Sequence, residues 1–502
     1  MNGKISVLCA ALFLFSCKKN DDTTGDNFPK ENAGLFEEAG SIDVGDVGAA
    51  EITAFDPVTK RLFVVNNGVT NKIDIVDLSN PALPQLSGTI PVAPYGGLVN
   101  SLAVKNGLLA AAIEAVPATD AGKIVVFRTD DYSMVKSIAV GSLPDMVAFS
   151  PDGAFIVSAN EGEPNSTYTV DPEGTVSIIA VADNYSVRTL NFASFASTIN
   201  DFKARGGRIY GPGATFAKDI EPEYVAISDD SKTAWVTLQE NNAIAKIDLP
   251  SRAITQLFPL GFKDYNRLPS AMDPSDRDAG IGFGAWPVKG MYEPDGISVI
   301  VQNGLPYLVT ANEGDAREYA AFAEVKRVGS LLLDPTAFPL AADYNNVKKL
   351  GRLNVTTTLG DADGDGDFDA LYSLGARSFS VWNGLTGALV WDSGNELEQR
   401  AVAAGVYDDG RSDDKGVEPE GVVTGVVNGS TLIFVGMERA DAVGIYTAND
   451  PARPQWSQLL KCGDAPEGLL FVPQKDAPGN RSLLIVSSEG DGLIKIYRPA
   501  LQ

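Results

Sequence analysis

The chain contains no histidine among its 502 residues and only three cysteines. The absence of histidine excludes Ser-His and Cys-His nucleophile pairs, His-ligated zinc and a His-held haem. Any catalysis would have to use carboxylates, lysine, arginine, tyrosine or a metal held through oxygen. Basic residues are also few, with 40 Lys plus Arg against 65 Asp plus Glu and a formal charge of −25. Such a chain repels phosphate backbones and anionic lipid head groups, so we expect cations and no nucleic acid as partners.

The N-terminus lacks a hydrophobic run long enough to span a membrane. The apolar run from Ile5 to Phe15 follows Lys4 and fits the hydrophobic region of a signal peptide. It ends in Leu-Phe-Ser-Cys, which resembles the lipobox of bacterial lipoproteins, where the signal is removed and lipid is attached to the cysteine. The sequence therefore predicts a lipoprotein signal over residues 1–17, with Cys17 as the lipidated residue. The alternative is an ordinary secretory signal.

Lipid on Cys17 would leave Cys462 without a partner, so we expect no internal disulfide. Residues 18–46 begin with a polar stretch that contains Gly and Pro, and we interpret them as a flexible tether. The lysines and aspartates that follow Cys17 resemble export signals of surface lipoproteins in Bacteroidetes. We expect a monomer at the bacterial outer membrane, exposed on the cell surface and in contact with the membrane only through its lipid; the alternative is the periplasmic face.

A pattern of short strands and turns repeats between residues 47 and 502. Clear copies begin at Pro222, Pro419 and Pro466, and looser copies begin near Ala49, Gly97, Pro144 and Pro294. Repeated units of three or four strands, with few helical stretches, predict an all-β fold of the β-propeller type. A shortened copy from Gly375 makes eight blades if it counts and seven if it does not. Segments near 184–218 and 258–292 interrupt the repeat and are expected to be long loops over one face.

Acidic residues recur at two points of the repeat, before the first strand and at the end of the second. The first set is Asp145, Glu221, Glu223, Glu293, Asp295, Glu418, Glu420 and Glu467, and the second is Glu114, Glu161, Glu240, Glu313, Glu438 and Glu489. Both points lie on the same face of a propeller, so we expect these side chains to meet at one mouth of the central tunnel.

Like charges so close are unfavourable by about 4 kcal/mol per pair at 4 Å with an effective dielectric constant near 20. Backbone N–H groups, Arg317 and Arg439, raised pKa values or bound cations must offset them. One interpretation is structural, with each Glu capping a turn and fastening adjacent blades. The other is a ligand or cation site, for which we name Glu161, Glu223, Asp295, Glu313, Asp315, Arg317, Glu420, Glu467 and Glu489.

The stretch DADGDGDFD has an aspartate at every second position, namely Asp361, Asp363, Asp365, Asp367 and Asp369. These are positions 1, 3, 5, 7 and 9 of an EF-hand-like loop, and Gly366 occupies position 6, where that loop turns sharply. Position 12 is Tyr372 where the motif has Glu, and the flanking sequence favours strands over helices. We predict a calcium-binding loop over 361–372, completed by an oxygen from elsewhere in the chain. The alternative is a solvated acidic turn.

Several long segments resemble the choice-of-anchor I family. They include ANEGEPNSTYTVDPEGTVSII (159–179), LVTANEGDAREY (308–319) and DADGDGDFDALYSLGARSFSVWN (361–383), and they span most of the mature chain in order. The resemblance implies a secreted or surface propeller joined to differing anchors, here a lipid, and similar to mesenchyme-specific cell surface glycoproteins. It supplies no catalytic residues.

Three functions compete on these observations. The first is a non-enzymatic, calcium-stabilised surface module that binds an extracellular ligand through its acidic face. The second is a calcium-dependent phosphoesterase that resembles β-propeller phytases or phosphatases, in which clustered carboxylates hold calcium ions and Arg317 contacts phosphate. The third, an oxidoreductase propeller with quinone or haem, is disfavoured because an axial histidine is absent. We favour the first function and leave open whether the protein is an enzyme.

Overall fold

The computed structural model describes residues 28–502. Its longest strands form seven four-stranded antiparallel sheets, which are the blades of a β-propeller. The innermost strand of each blade contacts the innermost strands of both neighbours, and blade 7 contacts blade 1 in the same way. The ring is therefore closed, and the predicted all-β propeller is confirmed with the lower of the two blade counts.

Each of the first six blades is built from four strands in chain order, from the inside of the ring outward. Blade 1 consists of Thr53–Asp56, Arg61–Asn66, Lys72–Asp77 and Gln85–Pro91. Blade 2 consists of Val99–Lys105, Leu108–Ile113, Ala121–Arg128 and Met134–Ser142. Blade 3 consists of Pro144–Phe149, Phe155–Asn160, Thr175–Ala180 and Ser186–Asn191. Blade 4 consists of Pro222–Ile227, Thr233–Leu238, Ala243–Asp248 and Ala253–Pro259.

Blades 5 to 7 complete the ring. Blade 5 consists of Ile297–Gln302, Leu305–Asn312, Ser378–Asn383 and Leu389–Asp392. Blade 6 consists of Pro419–Val427, Ser430–Met437, Ala442–Thr447 and Gln455–Lys461. Blade 7 consists of Pro466–Val472, Leu483–Ser488 and Leu493–Leu501, with Glu31–Asp43 as its outermost strand.

The N-terminal strand closes the ring by joining the two ends of the chain. Glu31–Asp43 pairs antiparallel with Leu493–Leu501, and Phe36 packs edge to face on Phe434 of blade 6. This corrects the predicted tether, because the folded domain begins at Glu31 and not at residue 47. The predicted signal peptide with Cys17, and residues 18–27 of the tether, lie outside the described residues. In the part of the chain described, no helix is long and apolar enough to cross a membrane.

The shortened repeat from Gly375 is not a separate blade. Its strands Ser378–Asn383 and Leu389–Asp392 are the third and fourth strands of blade 5. Residues 313–377 separate them from the first half of that blade, so one blade appears in the sequence as two incomplete copies. This insertion contains the short strands Glu318–Tyr319, Phe322–Ala323, Val325–Arg327, Asn354–Thr356 and Tyr372–Ser373, the helix Ala341–Tyr344, and the 3-10 turns Val328–Ser330 and Leu350–Arg352.

Three other segments between blades carry structure of their own. The segment between blades 3 and 4 holds the 3-10 turn Ala193–Thr198 and the helices Ile199–Ala204 and Phe216–Asp219. The segment between blades 4 and 5 holds the strands Phe262–Asp264 and Lys289–Met291 and the turn Leu268–Ser270. The segment between blades 5 and 6 holds the helix Glu396–Ala404 and the turn Asp409–Arg411. Short 3-10 turns at Glu438–Ala440 and Pro478–Asn480 lie in blades 6 and 7.

The hydrophobic core is divided among the interfaces between blades. Blades 3 and 4, for example, meet through Val157, Val176, Val236 and Ala245, all fully buried. A further cluster under the insertions includes Met272, Val328, Leu350 and Val355. Because a blade is covered on both faces, its middle strands are continuous apolar runs, as in Leu483–Ser488, where every residue is buried.

Replacing Phe36 by alanine should test the closure of the ring. The side chain is 2% exposed, so Phe36→Ala should lower the free energy of unfolding by about 3–5 kcal/mol. Leu35→Ala, in the same strand but 41% exposed, should change it by less than about 0.5 kcal/mol. Denaturant unfolding followed by tryptophan fluorescence measures both. Equal effects of the two substitutions would contradict the closing role of Phe36.

Candidate metal centre at the tunnel mouth

Every blade presents two side chains at the same mouth of the central tunnel. We call the residue at the start of the innermost strand the inner position and the residue directly after the second strand the outer position. From blade 1 to blade 7, the inner positions are Glu51, Asn100, Asp145, Glu223, Asp295, Glu420 and Glu467. In the same order, the outer positions are Asn67, Glu114, Glu161, Gln239, Glu313, Glu438 and Glu489. Most of these positions are therefore carboxylates, and the remainder are amides.

The inner side chains surround a cavity of about 230 Å³. Six of the seven inner residues, all except Glu51, line this cavity together with Gln239, Glu313 and Asp315. Among the described residues that line this cavity there is no lysine or arginine. The cavity is thus a small acidic chamber at the end of the tunnel.

Carboxylates from adjacent blades meet in groups of three. Three of these groups, which we call triads, each have the inner residue of one blade, its outer residue and the inner residue of the next blade, with oxygens within 4.8 Å of one another. The 3/4 triad is Asp145, Glu161 and Glu223, the 5/6 triad is Asp295, Glu313 and Glu420, and the 7/1 triad is Glu467, Glu489 and Glu51. Oxygens at this spacing suit a hard divalent cation such as Ca²⁺.

Glycine allows the inner strands to approach closely at three of these blades. Gly296, Gly421 and Gly468 each follow the inner carboxylate of their own blade. A Cβ at any of the three would overlap the backbone carbonyl oxygen of the next inner residue, namely that of Glu420, Glu467 or Glu51. The Pro-acid-Gly motif of the sequence thus reflects the narrow ring that brings the carboxylates together.

The electrostatic environment of the mouth disfavours bare carboxylates. Burial, together with the charges of Glu489 and Asp145, raises the pKa of Glu51 to about 8. Burial and the charge of Glu163 raise the pKa of Asp145 to about 7. Burial and neighbouring carboxylates also raise the pKa values of other members well above their usual range, namely Glu161, Glu223, Asp295, Glu420 and Glu467. The folded protein therefore requires protons or cations at this mouth.

Three other acids of the repeat do not line the chamber and are paired with arginine. Glu221 pairs with Arg317 at 2.6 Å, Glu293 pairs with Arg208 at 2.5 Å, and Glu418 pairs with Arg411 at 2.5 Å. Burial and the charges of Glu221 and Asp315 raise the pKa of Glu240, which does not line the chamber either. Glu418 stays at the mouth, with an oxygen within 4.8 Å of oxygens of Glu313 and Glu438. The expectation that these acids face the tunnel is therefore wrong for Glu221 and Glu293, which are held by arginine outside the chamber.

Arg317 is the one predicted ligand-binding residue that the structure keeps away from the chamber. Its guanidinium is 2% exposed and contacts Asp219 Oδ1 at 2.7 Å as well as Glu221. It does not line the cavity. The other eight residues of that predicted set lie at the mouth, either lining the cavity or in a triad. Glu51 was missed because its segment, AAEIT, has neither the proline nor the glycine of the motif.

Aromatic side chains from two segments pack against one another beside the 3/4 triad. The Tyr168 ring packs edge to face on Tyr319 at 5.3 Å and on Phe322 at 6.0 Å. Tyr319 donates a hydrogen bond to Glu163 Oε1 at 2.6 Å, and Glu163 raises the pKa values of both Asp145 and Glu161. The insertion in blade 5 thereby reaches the mouth at blades 3 and 4.

The aspartate ladder lies in the blade 5 insertion and is exposed over most of its length. Asp361 accepts hydrogen bonds from the backbone N–H groups of Gly364 and Gly366, at 2.7 and 3.2 Å. Carboxylate oxygens of Asp367 and Asp369 lie within 4.8 Å of each other and of Asp334. Asp334 thus supplies an oxygen from outside the loop, while Asp361 is used in holding the turn.

The fold and the mouth define a seven-bladed propeller with an acidic chamber at one end of its tunnel. The family model of the choice-of-anchor I domain matches residues 51–451. The chain therefore belongs to the choice-of-anchor I domain family, and the resemblance found in the sequence is confirmed.

Similar proteins agree with this assignment. A mesenchyme-specific cell surface glycoprotein from Strongylocentrotus purpuratus is 27% identical over 348 residues, which cover 58% of this chain and 44% of the relative. Gigasin-3a from Magallana gigas is 27% identical over 182 residues, covering 30% of this chain and 64% of the relative. The chain thus matches about half of the length of these curated relatives. The solved WD40 repeats of RRP9 have a TM-score of 0.51 at 10% identity, covering 93% of this chain and all of that one, which supports the fold alone.

The raised pKa values predict how stability depends on pH when cations are removed. In the folded protein the pKa of Glu51 is raised from 4.5 to about 8 and that of Asp145 from 3.8 to about 7, so both groups hold protons at pH values where the unfolded chain has lost them. Stability in chelator should therefore be greatest at low pH and should fall as the pH rises from 5 to 8. Calorimetric unfolding in EGTA measures this slope.

A matched pair of variants isolates the contribution of the mouth from that of the overall negative charge. Glu51→Gln combined with Glu467→Gln should flatten the slope, because two of the titrating groups are removed. Asp229→Asn, which alters an exposed acid far from the triads, should leave the slope unchanged. An unchanged slope in the double variant would show that the mouth does not carry the pH dependence.

Proposed function

We propose that the protein is a non-enzymatic surface module that holds Ca²⁺ at the tunnel mouth and uses it to bind an extracellular ligand. The observation that carries this proposal is the repetition of one carboxylate triad between blades of the ring. A group that only capped a turn would be satisfied by backbone N–H groups, whereas Glu223 Oε2 is buried without a hydrogen-bond partner in the described chain. A buried anionic oxygen without a donor is the condition that a metal ion relieves.

The chamber suits recognition through metal ions. Its volume of about 230 Å³ admits a small group, not a folded partner. Ca²⁺ takes six to eight oxygen ligands, more than a triad of carboxylates supplies through one oxygen each. The remaining positions would bind water or an anionic group of the ligand, such as a carboxylate, sulfate or phosphate. The ion thereby converts an acidic surface into one that binds anions.

We propose a second calcium site at the aspartate ladder, formed by Asp334, Asp367 and Asp369. Partial desolvation, together with the charges of nearby carboxylates that include Asp334 and Asp369, raises the pKa of Asp367. The backbone bridge between Leu333 and Phe368 holds the two segments together. An ion bound here would hold together the two segments of the blade 5 insertion. Extracellular loops of this kind bind calcium at about 10⁻⁴–10⁻³ M.

We place the protein at the outer cell surface, held by lipid on Cys17. The support is the lipobox-like sequence, the family, whose name refers to differing anchors, and the cell surface location in the name of the sea urchin relative. Its ligand would then meet the mouth from the extracellular medium.

A calcium-dependent phosphoesterase is the second candidate, since several clustered Ca²⁺ ions can bind phosphate and activate water. The position of Arg317 counts against it, because the guanidinium assigned to phosphate is held by Asp219 and Glu221. No other cationic side chain among the described residues lines the cavity. The chamber therefore offers metal ligands without a side chain that would stabilise a transferring phosphoryl group.

Calcium should raise the unfolding temperature, and the triads should carry most of the effect. At 100 times its Kd, one bound ion adds about 2.7 kcal/mol to the free energy of unfolding. Glu223→Gln combined with Glu467→Gln should remove most of this gain, and Asp229→Asn should keep it. Thermal unfolding with Ca²⁺ and with EGTA gives the comparison. An equal gain in all three proteins would contradict the proposed mouth site.

Hydrolysis of p-nitrophenyl phosphate and of phytate separates the two functions. We expect no turnover in Ca²⁺ or in EGTA. Turnover that Ca²⁺ restores and that Glu313→Gln abolishes would overturn the binding function in favour of the phosphoesterase.

The ladder should lose one calcium ion when Asp367 and Asp369 are both changed to Asn. The mouth sites should be unaffected, because the substituted residues lie in the insertion. Equilibrium dialysis with ⁴⁵Ca²⁺ counts the ions. Asp363→Asn combined with Asp365→Asn is the matched control, and it should keep the ion if Asp334, Asp367 and Asp369 form the site. An unchanged count in the first variant would reject this site.

A further inference from the structure

We propose that Lys415 is a built-in cation that binds Glu313, the central carboxylate of the 5/6 triad, so that the tunnel mouth takes divalent ions at only two places, the 3/4 triad and the 7/1 triad. This inference rests on the proposed function and specifies where its ions bind. It follows from a comparison of equivalent positions around the ring.

Lys415 reaches the 5/6 triad from the segment that joins blades 5 and 6. Its ammonium lies 2.6 Å from Glu313 Oε1, 2.6 Å from the carbonyl oxygen of Gly314 and 3.2 Å from Glu418 Oε2. The side chain is 12% exposed. Of the 5/6 triad, the ammonium contacts only Glu313, while Gly314 and Glu418 supply the other two oxygens. Lys415 therefore places a positive charge on the central carboxylate of this triad, which a metal ion would otherwise use.

The remaining oxygen of Glu313 is also engaged. Gln239, the outer residue of blade 4, donates a hydrogen bond from Nε2 to Glu313 Oε2 at 3.0 Å. Both oxygens of the central carboxylate of the 5/6 triad are therefore satisfied by protein groups. A metal ion that used Glu313 as a ligand would compete with Lys415 and Gln239 for its oxygens.

In the described chain, neither of the other two triads has a cationic partner, although Asn67 donates a hydrogen bond to Glu51 of the 7/1 triad. Among the described residues, no lysine or arginine lies within ion-pair distance of any carboxylate in the 3/4 triad or the 7/1 triad. In the 3/4 triad, the buried Glu223 Oε2 has no hydrogen-bond donor. Three neighbouring carboxylates without a cation carry an uncompensated charge that the equivalent site at blades 5 and 6 does not.

The other blade interfaces reduce the charge by different means. At blades 1 and 2, Asn67 donates to Glu51 Oε2 at 2.8 Å. Blades 2 and 3 have Asn100 as an inner residue, and blades 4 and 5 have Gln239 as the outer one. At blades 6 and 7, Arg439 pairs with Glu438 at 2.8 Å. The described ring therefore leaves two interfaces, those of the 3/4 and 7/1 triads, with three carboxylates and no cationic side chain in contact with them.

Crystals of the wild-type protein grown with Mn²⁺ and measured at the manganese absorption edge test the assignment directly. Mn²⁺ accepts the same oxygen ligands as Ca²⁺ and gives an anomalous signal. We expect one peak at the 3/4 triad, one at the 7/1 triad, and none within bonding distance of Glu313. A peak bound to Glu313, or a peak at only one of the two open triads, would overturn the proposal.

The same map separates a failure of the proposed role of Lys415 from a failure of the proposed metal site. Peaks at all three triads would refute the role of Lys415 and leave the proposed function intact. No peak at any triad would refute the metal site of the proposed function and this inference with it.

Changing Lys415 should alter the number of bound ions. Lys415→Met frees the 5/6 triad, so the count of ⁴⁵Ca²⁺ in equilibrium dialysis should rise by one ion per chain. Lys415→Arg keeps the positive charge and should keep the wild-type count. Lys415→Met combined with Glu313→Gln should return the count to that of the wild type. An unchanged count in folded Lys415→Met would contradict the proposal, and if that variant does not fold, the wild-type diffraction experiment decides.

Discussion

The closure of the seven blades into a narrow ring forces negative charges together, and the rest of the mouth depends on this constraint. Inner strands at blades 5, 6 and 7 approach so closely that only glycine fits after the inner carboxylate. Carboxylates far apart in the sequence then lie within a few ångströms in a partly buried chamber. Because burial removes the water that would screen them, the molecule must supply counter-charges or bind them.

The chain supplies these counter-charges unevenly. Acids just outside the chamber are held by arginine, and the Tyr210 ring stacks between Arg208 at 3.9 Å and Arg317 at 4.5 Å. Buried ion pairs of this kind fix the positions of the segments they join more than they add to net stability. Here Arg208 fastens the segment before blade 4 to the blade 5 insertion through Glu324 and to the segment before blade 5 through Glu293. The acids at the mouth are contacted instead by the amide side chains of Asn67 and Gln239, by Lys415 and, in our proposal, by metal ions.

The sequence predicted the propeller and the acidic mouth because both follow from repetition. Identical turns at equivalent points of each blade must lie on one face, so Asp145, Glu223 and Glu467 could be placed without coordinates. The repeat could not show which of the acids in a turn points toward the chamber. Glu221 and Glu223 differ by two residues, yet one pairs with Arg317 and the other faces the chamber, because the arginine arrives from a distant insertion.

Other features were missed for similar reasons. The N-terminal strand lies at the outer edge of blade 7, and most of its residues are partly or fully exposed. It therefore lacks the continuous apolar run of a middle strand. The insertion at 313–377 divides blade 5 and produced the apparent extra repeat. Lys415 and Gln239 carry no motif, and their roles depend on contacts with Glu313 made between neighbouring blades.

The central claim is that divalent cations offset the carboxylates of the mouth, and the measurement that tests it most directly is calorimetric titration of the protein with Ca²⁺ at pH 7 in two buffers of different ionisation enthalpy. Carboxylates with raised pKa values must give up protons to bind the ion, so the account predicts binding heat that differs between the buffers and corresponds to net proton release. A titration without binding heat in either buffer, or with binding but no proton release, would contradict it.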